Sequence, residues 1–175
     1  MLAYIAIATN MVLFLEQSDL SGLKVAGFVI SFSTVGGLIT SVTLVRLRSF
    51  FKDRLMAVSL FVMGLGFGII SLSYSIPFVL VGVLFVGFGQ GVLFPLINVK
   101  VLGNVAPEIS DKIISIVSSM IYVGQFISPV VLQFVGELFS RPTIRFEYTV
   151  LSVSLILSVL GMIVYKVFQA RKVSR

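Results

Sequence analysis

The chain has 175 residues, of which 58% are hydrophobic and 11% are charged, and its formal net charge at pH 7 is +6. Soluble domains carry about 25% charged residues. A chain with a mean hydropathy of +1.13 therefore lacks the polar surface needed to fold in water. The composition excludes an ordinary soluble domain and predicts an integral membrane protein.

The sequence contains neither histidine nor cysteine. Their absence removes the most common general base, the usual zinc ligands and the thiol nucleophile, so intramembrane metalloprotease and serine–histidine chemistry have no residues to use. We therefore expect no enzyme activity, with no catalytic residues, no metal site and no cofactor.

In chain order, six apolar segments predict six transmembrane helices in a single domain. The first, Met1–Leu15, is shorter than the roughly 20 residues that span a bilayer, which indicates that residues before it are missing. A signal peptide is disfavoured because the segment has no basic start and is followed by the acidic Glu16 and Asp19. The other five are of spanning length and uncharged: Val25–Val45, Leu55–Tyr74, Pro77–Val99, Ile113–Gly136 and Tyr148–Tyr165.

Lysine and arginine are concentrated on one side of this topology. Only Lys24, Arg141 and Arg145 lie on the other side. The positive-inside rule then places both termini in the cytoplasm, in a multi-pass protein of the cell membrane. The net charge follows from this topology and from attraction to anionic lipid, so we expect no nucleic-acid partner. The residues on the basic side are Arg46, Arg48, Lys52, Arg54, Lys100, Lys112, Lys166, Arg171, Lys172 and Arg175.

The fourth segment carries three glycines at alternate positions and a proline one turn later: Gly87, Gly89, Gly91 and Pro95. Gly87 and Gly91 share one helix face and predict close packing against a neighbouring helix. Gln90, Phe94 and Asn98 share another face, at positions i, i+4 and i+8. That second face is either a routine packing surface or the wall of a substrate path.

Shifting the chain against itself by 88 residues indicates an internal repeat. Asn10 then pairs with Asn98, and residues 35–42 pair with residues 123–130, where four positions are identical. The shift maps segments one to three onto segments four to six, and because three is odd the second copy crosses the membrane in the opposite sense. The predicted fold is all-α, with two inverted three-helix repeats, residues 1–75 and 76–168, and a cytoplasmic tail of residues 169–175.

Two stretches resemble a known family: Gly87–Pro95, which reads GFGQGVLFP, and Ile121–Pro129, which reads IYVGQFISP, with a charged loop containing Pro107 between them. Together they are similar to the fourth and fifth helices of the C-terminal half of Major Facilitator Superfamily transporters, in particular bacterial drug-efflux-like members. The resemblance implies that the six segments correspond to helices seven to twelve of a twelve-helix permease whose N-terminal half is absent. The loop Arg46–Arg54 lacks the family's glycine and is better explained by the positive-inside rule.

The resemblance places the first and fourth segments beside a central cavity, and uncharged side chains on three segments are the candidate substrate contacts. A pocket of aromatic, amide and methionine side chains suits a drug-like, lipophilic or weakly polar solute. The alternative for each residue is a contact between helices. The candidates are Tyr4, Asn10 and Met11 on the first segment, Gln90, Phe94 and Asn98 on the fourth, and Tyr122, Gln125 and Phe126 on the fifth.

These observations predict transmembrane transport of a small solute by alternating access, with the chain acting as part of a permease. Proton coupling would need an ionisable group at membrane depth, and Glu16, Glu137 and Glu147 all fall at predicted outer ends. The expected partners are the lipid bilayer, a small-molecule substrate, and either the missing N-terminal six-helix half or a second copy of the chain. The alternative is a six-helix channel or a non-transporting scaffold, although the sequence has no filter motif.

Overall fold

The computed structural model describes residues 2–20, 22–103, 105–140 and 143–173. Within these ranges the chain forms α-helices and short 3₁₀ turns but no β-strand, so the predicted all-α fold is confirmed. Three-residue 3₁₀ turns follow α2, at Lys52–Arg54, and precede α5, at Pro107–Ile109. The α-helices are α1 (Leu2–Gln17), α2 (Gly22–Phe51), α3 (Leu55–Leu72), α4 (Ile76–Leu102), α5 (Ser110–Leu138) and α6 (Ile144–Val173).

Each predicted apolar segment corresponds to one helix. The third segment runs two residues past the end of α3 at Leu72, whereas most of the other helices run further than their segments. α2 continues past Val45 to Phe51, and α6 begins four residues before Tyr148 and ends eight residues after Tyr165. The added turns carry basic residues such as Arg46. A membrane helix keeps its backbone hydrogen bonds into the head-group region, where long basic side chains reach water. Segment ends drawn at the first charge therefore underestimate helix length.

Five of the described helices are long and apolar enough to cross a membrane. α1 has 16 residues and is shorter than these spans. The chain is thus a multi-pass membrane protein by length and composition, and a sixth crossing by α1 stays a prediction. The candidate spans are Val25–Phe51, Leu55–Leu72, Ile76–Leu102, Ser110–Leu138 and Ile144–Lys166.

Helix α4 lies at the centre of the packing. It packs along α2 on one side and along α3 on another, and α3 in turn packs along α6. α1 contacts α2, α5 and α6, while α5 makes only small contacts with α4 and α6. The result is a row of four closely packed helices in the order α2, α4, α3, α6, which we call the four-helix row, with α1 and α5 attached to it.

The hydrophobic core has two parts. The larger part contains residues of all six α-helices, and in it the rings of Phe14 and Phe67 lie 5.3 and 5.5 Å from the ring of Tyr148. The smaller part contains Leu55 and residues of α2 and α4. It lies next to the Lys52–Arg54 turn, and we call the end of the bundle that holds this turn the basic end.

Glycines allow α4 to approach both of its neighbours closely. A Cβ at Gly87 would overlap the carbonyl group of Ser33 on α2, and one at Gly91 would overlap α2 as well. On a different face of α4, a Cβ at Gly89 would lie 2.7 Å from the Cβ of Met63 on α3. The packing role predicted for Gly87 and Gly91 is confirmed, and the glycine between them packs against a second helix.

Replacing Gly87 with alanine should destabilise the bundle, because the added methyl group forces α2 and α4 apart. Overpacking of this kind costs about 1–3 kcal/mol, and we expect a lower midpoint of thermal unfolding, measured by circular dichroism in detergent. Gly161→Ala on α6 is the matched control, since a Cβ at that position meets nothing within 4 Å. Equal midpoints for the two variants would show that the α2–α4 contact does not depend on close approach.

Candidate functional site

A shallow, uncharged pocket lies between α2 and α4, with a volume of about 280 Å³. α2 contributes hydroxyl side chains and a glycine, and α4 contributes an amide, an aromatic ring and a proline. The lining residues are Ser33, Thr34, Gly37, Leu38, Ser41, Gln90, Gly91, Phe94 and Pro95.

The pocket exists because small residues coincide on the two helices. Ser33, Gly37 and Ser41 follow one another at four-residue spacing on α2, and Gly91 packs against this face from α4. Ser41 Oγ donates a hydrogen bond of 3.3 Å to the carbonyl oxygen of Gly91. Short side chains leave room beside the ring of Phe94, which stays 39% exposed. The pocket thus offers a ring, an amide and hydroxyl groups to a small, weakly polar molecule.

Of the nine predicted substrate contacts, the structure brings Gln90 and Phe94 together in this pocket. Asn98 lies one turn further along α4, half-buried and outside the lining. Met11 is fully buried in the larger core. The side chain of Tyr4 lies outside the described residues. The predicted residues of α5 are exposed and do not line this pocket: Tyr122, Gln125 and Phe126.

The α2 wall of the pocket was not among the sequence predictions. Its signal is the four-residue spacing of Ser33, Gly37 and Ser41 inside an otherwise apolar segment, which places small and hydroxyl side chains on one face. That spacing identifies a packing face, but it does not show which helix covers the face.

Asn10 makes an interhelical contact with Glu147. Its Nδ2 donates a hydrogen bond of 2.8 Å to Oε2 of Glu147, and the two side chains are only 4% and 6% exposed. Glu147 lies in the first turn of α6, at the end predicted from the sequence, but its side chain is buried. Asn10 thus makes a contact between helices, which was the alternative to a substrate contact for this residue. Within the described ranges, no three His, Cys, Asp or Glu side chains gather as metal ligands.

Arg145 joins the start of α6 to the ends of α1 and α3. Its Nη1 donates to the carbonyl oxygens of Ser71 and Ser73, at 2.9 and 2.6 Å, and its Nη2 donates to Ser18 Oγ at 3.0 Å. The guanidinium carbon lies 4.4 Å from the centre of the Tyr74 ring, within the range of a cation–π interaction. The sequence assigned Arg145 only a topological role, because this contact depends on three helix ends meeting in space.

Helix α5 carries polar side chains that the other described helices leave uncovered. Successive polar residues are three, four or eight positions apart in the sequence, and this spacing places them on one side of the helix. All are exposed except Ser118, which is half-buried. Tyr122 and Gln125 lie near the middle of this membrane-length helix, where lipid offers no hydrogen-bond partner. This polar face of α5 consists of Asp111, Ser115, Ser118, Tyr122, Gln125 and Gln133.

Replacing Asn10 with leucine should destabilise the fold, because the change leaves the buried carboxyl group of Glu147 without its hydrogen-bond donor. The expected loss is about 1–3 kcal/mol, seen as a lower midpoint of thermal unfolding in detergent. The double variant Asn10→Leu/Glu147→Leu should recover much of that loss, since both polar groups are removed together. An Asn10→Leu protein as stable as the parent, but with reduced transport, would favour the substrate-contact interpretation instead.

Comparison with known proteins agrees with the helical architecture. The family model described as Major Facilitator Superfamily matches residues 1–174. No curated protein and no solved structure matches the chain. Members of this superfamily are membrane transporters and not enzymes, in keeping with the five candidate spans. The chain therefore belongs to the Major Facilitator Superfamily of membrane transporters.

Proposed function

We propose that the chain transports a small, drug-like or lipophilic solute by alternating access, as one moving unit of an efflux-type permease. The observation that carries this proposal is the uncovered polar face of α5. A membrane-length helix with such a face is stable beside a water-filled path or another protein unit, but it is unfavourable in plain lipid. A carrier requires a path of this kind, with its binding site near the middle of the bilayer.

The pocket between α2 and α4 supports the proposed type of solute. Its lining has no charged residue, so apolar contact with Phe94 would supply most of the affinity and the amide of Gln90 would orient a polar group. Ligand sites commonly measure about 300–1,000 Å³, and this pocket measures about 280 Å³. We infer that it forms one wall of the binding site and that a second unit completes it.

The helix bounds support the proposed inverted repeats. Moved by 88 residues, α2 would cover residues 110–139, and α5 is Ser110–Leu138. α3 would begin at 143, and α6 begins at Ile144. The helix contacts also correspond in pairs: α2 with α4 matches α5 with α1, and α3 with α4 matches α6 with α1, the α1 contact being the smaller in each pair. Two related three-helix units of this kind are common in carriers that rock about a fixed site.

The proposed second unit covers the polar face of α5. It is either a separate N-terminal six-helix half or a second copy of the chain, and the solute passes between the two units. The positive-inside rule directs the basic end, and with it both termini, to the cytoplasm of a cell-membrane protein. Rocking of the two units about the shared site opens it first to one side of the membrane and then to the other.

Single cysteines on α5 test for the water-filled path, and the natural absence of cysteine leaves each introduced thiol as the only reactive one. Ser115→Cys and Gln125→Cys should react with a charged, membrane-impermeant methanethiosulfonate, because hydrated thiols ionise and react. Met120→Cys is the control, since Met120 is 62% exposed but lies on the far side of the helix, where we expect lipid. Equal labelling of all three positions, or of none, would contradict the proposal.

Replacing Gln90 with leucine should reduce transport of the lipophilic dye Hoechst 33342 into inside-out membrane vesicles by about fivefold. Loss of one hydrogen bond to the solute, worth about 1 kcal/mol or slightly more, gives a change of this size. The control is Ser158→Leu, which removes an exposed hydroxyl that bonds to the Ser154 carbonyl oxygen at 2.8 Å on α6, away from the pocket and from the polar face of α5. Dye accumulation that is unchanged in Gln90→Leu, at equal protein in the membrane, would remove Gln90 from the substrate site.

A further inference from the structure

A larger cavity lies between α3 and α6 at the basic end, separate from the α2–α4 pocket. Its volume is about 540 Å³ and its walls are mostly aliphatic, while Arg54 and Lys166 also line it. We propose that this cavity, the α3–α6 groove, binds one anionic phospholipid, with an acyl chain between the helices and the phosphate against Arg54 and Lys166. The inference does not depend on the proposed transport cycle, because the groove shares no lining residue with the α2–α4 pocket.

The groove follows from the way the two helices meet. Further along the bundle, a Cβ at Gly64 of α3 would lie 3.2 Å from the side chain of Ile156 on α6, and Ser152 Oγ donates a hydrogen bond of 2.7 Å to the Gly64 carbonyl oxygen. Towards the basic end from this close contact, a space opens between the helices. On the α3 side it is lined by Ala57, whose short side chain leaves it unfilled.

The apolar wall is open to the bilayer. Phe61, Leu160 and Ile163 line the groove and remain 42%, 52% and 51% exposed. All three belong to candidate membrane spans, so the medium outside them is hydrocarbon. A lipid chain can therefore enter sideways and bury its length against both helices.

The two cations lie at one end of this apolar wall. Arg54 directly precedes α3 and is ten residues before Gly64, which corresponds to about 15 Å along the helix axis. Lys166 is fourteen residues after Ser152 on α6, which corresponds to about 21 Å in the same direction, and it ends the candidate span. This is the level at which hydrocarbon gives way to phosphate groups.

Two cations at the end of an aliphatic wall favour an anionic phospholipid over a zwitterionic lipid or free phosphate. The lining contains two cations and no acidic residue, so a lipid with net negative charge gains more than a zwitterionic one, in which the amine offsets the phosphate. Free phosphate would meet the same cations but would leave the aliphatic wall unfilled.

Native mass spectrometry of the purified full chain tests the assignment, with phosphatidylglycerol and phosphatidylcholine of equal chain length offered together. We expect one phosphatidylglycerol to be retained in preference to phosphatidylcholine. Arg54→Gln and Lys166→Gln should each lower its occupancy about fivefold, from the contribution of one cation near the membrane surface. Ala57→Phe should fill the groove and reduce retention of both lipids. Circular dichroism of each variant serves as the control that the protein remains helical.

Lys112→Gln is the matched control, because Lys112 lies at the start of α5, outside the groove. Its lipid occupancy should equal that of the parent. An equal loss in Lys112→Gln would mean that general surface charge attracts the lipid, and equal retention of the two lipids by the parent would mean that no phosphate site exists. Unchanged retention by Ala57→Phe would place the acyl chain elsewhere, and displacement of the lipid by inorganic phosphate would mean that the aliphatic wall contributes nothing. Each of these results would overturn the proposal.

Discussion

The close contact of helix backbones around α4 is the constraint on which the rest of the structure depends. In lipid there is little hydrophobic force between helices, so their association rests on van der Waals contact and interhelical hydrogen bonds. Gly87 and Gly91 permit that contact against α2, and Gly89 permits it against α3. α6 takes its place by packing along α3, and the uncharged pocket opens beside the α2–α4 contact.

Polar side chains in the membrane-length helices have two different roles. Near the start of α6, Arg145 and Glu147 are hydrogen-bonded to residues of other helices, and they join α6 to α1 and α3. On α5 the polar face is exposed, apart from the half-buried Ser118. The first group stabilises the six-helix unit. The second group is unfavourable in lipid, and we propose that this side of the unit faces water or a protein partner.

The helices and the packing role of the glycines were predictable because both follow from local rules. A bilayer requires about 20 apolar residues per crossing, and four-residue spacing puts Gly87 and Gly91 on one face. Hydropathy indicates the depth of a residue in the membrane but not the neighbour that it meets. For that reason the burial of Met11 in the core, the α2 wall around Ser33 and the three-helix contact of Arg145 could not be read from the sequence.

The sparse packing of α5 determines where the molecule is compliant. The four-helix row is held by contacts between backbones, and Gly66 of α3 and Gly82 of α4 leave no space for one helix to slide gradually past the other. α5 touches α1, α4 and α6 over small areas, so few interactions resist a change in its tilt. The four-helix row is therefore the rigid part of the molecule, and α5 is the helix that is least firmly held. We therefore expect contact with a neighbouring unit or a bound solute to change the tilt of α5 before it changes the packing of the four-helix row.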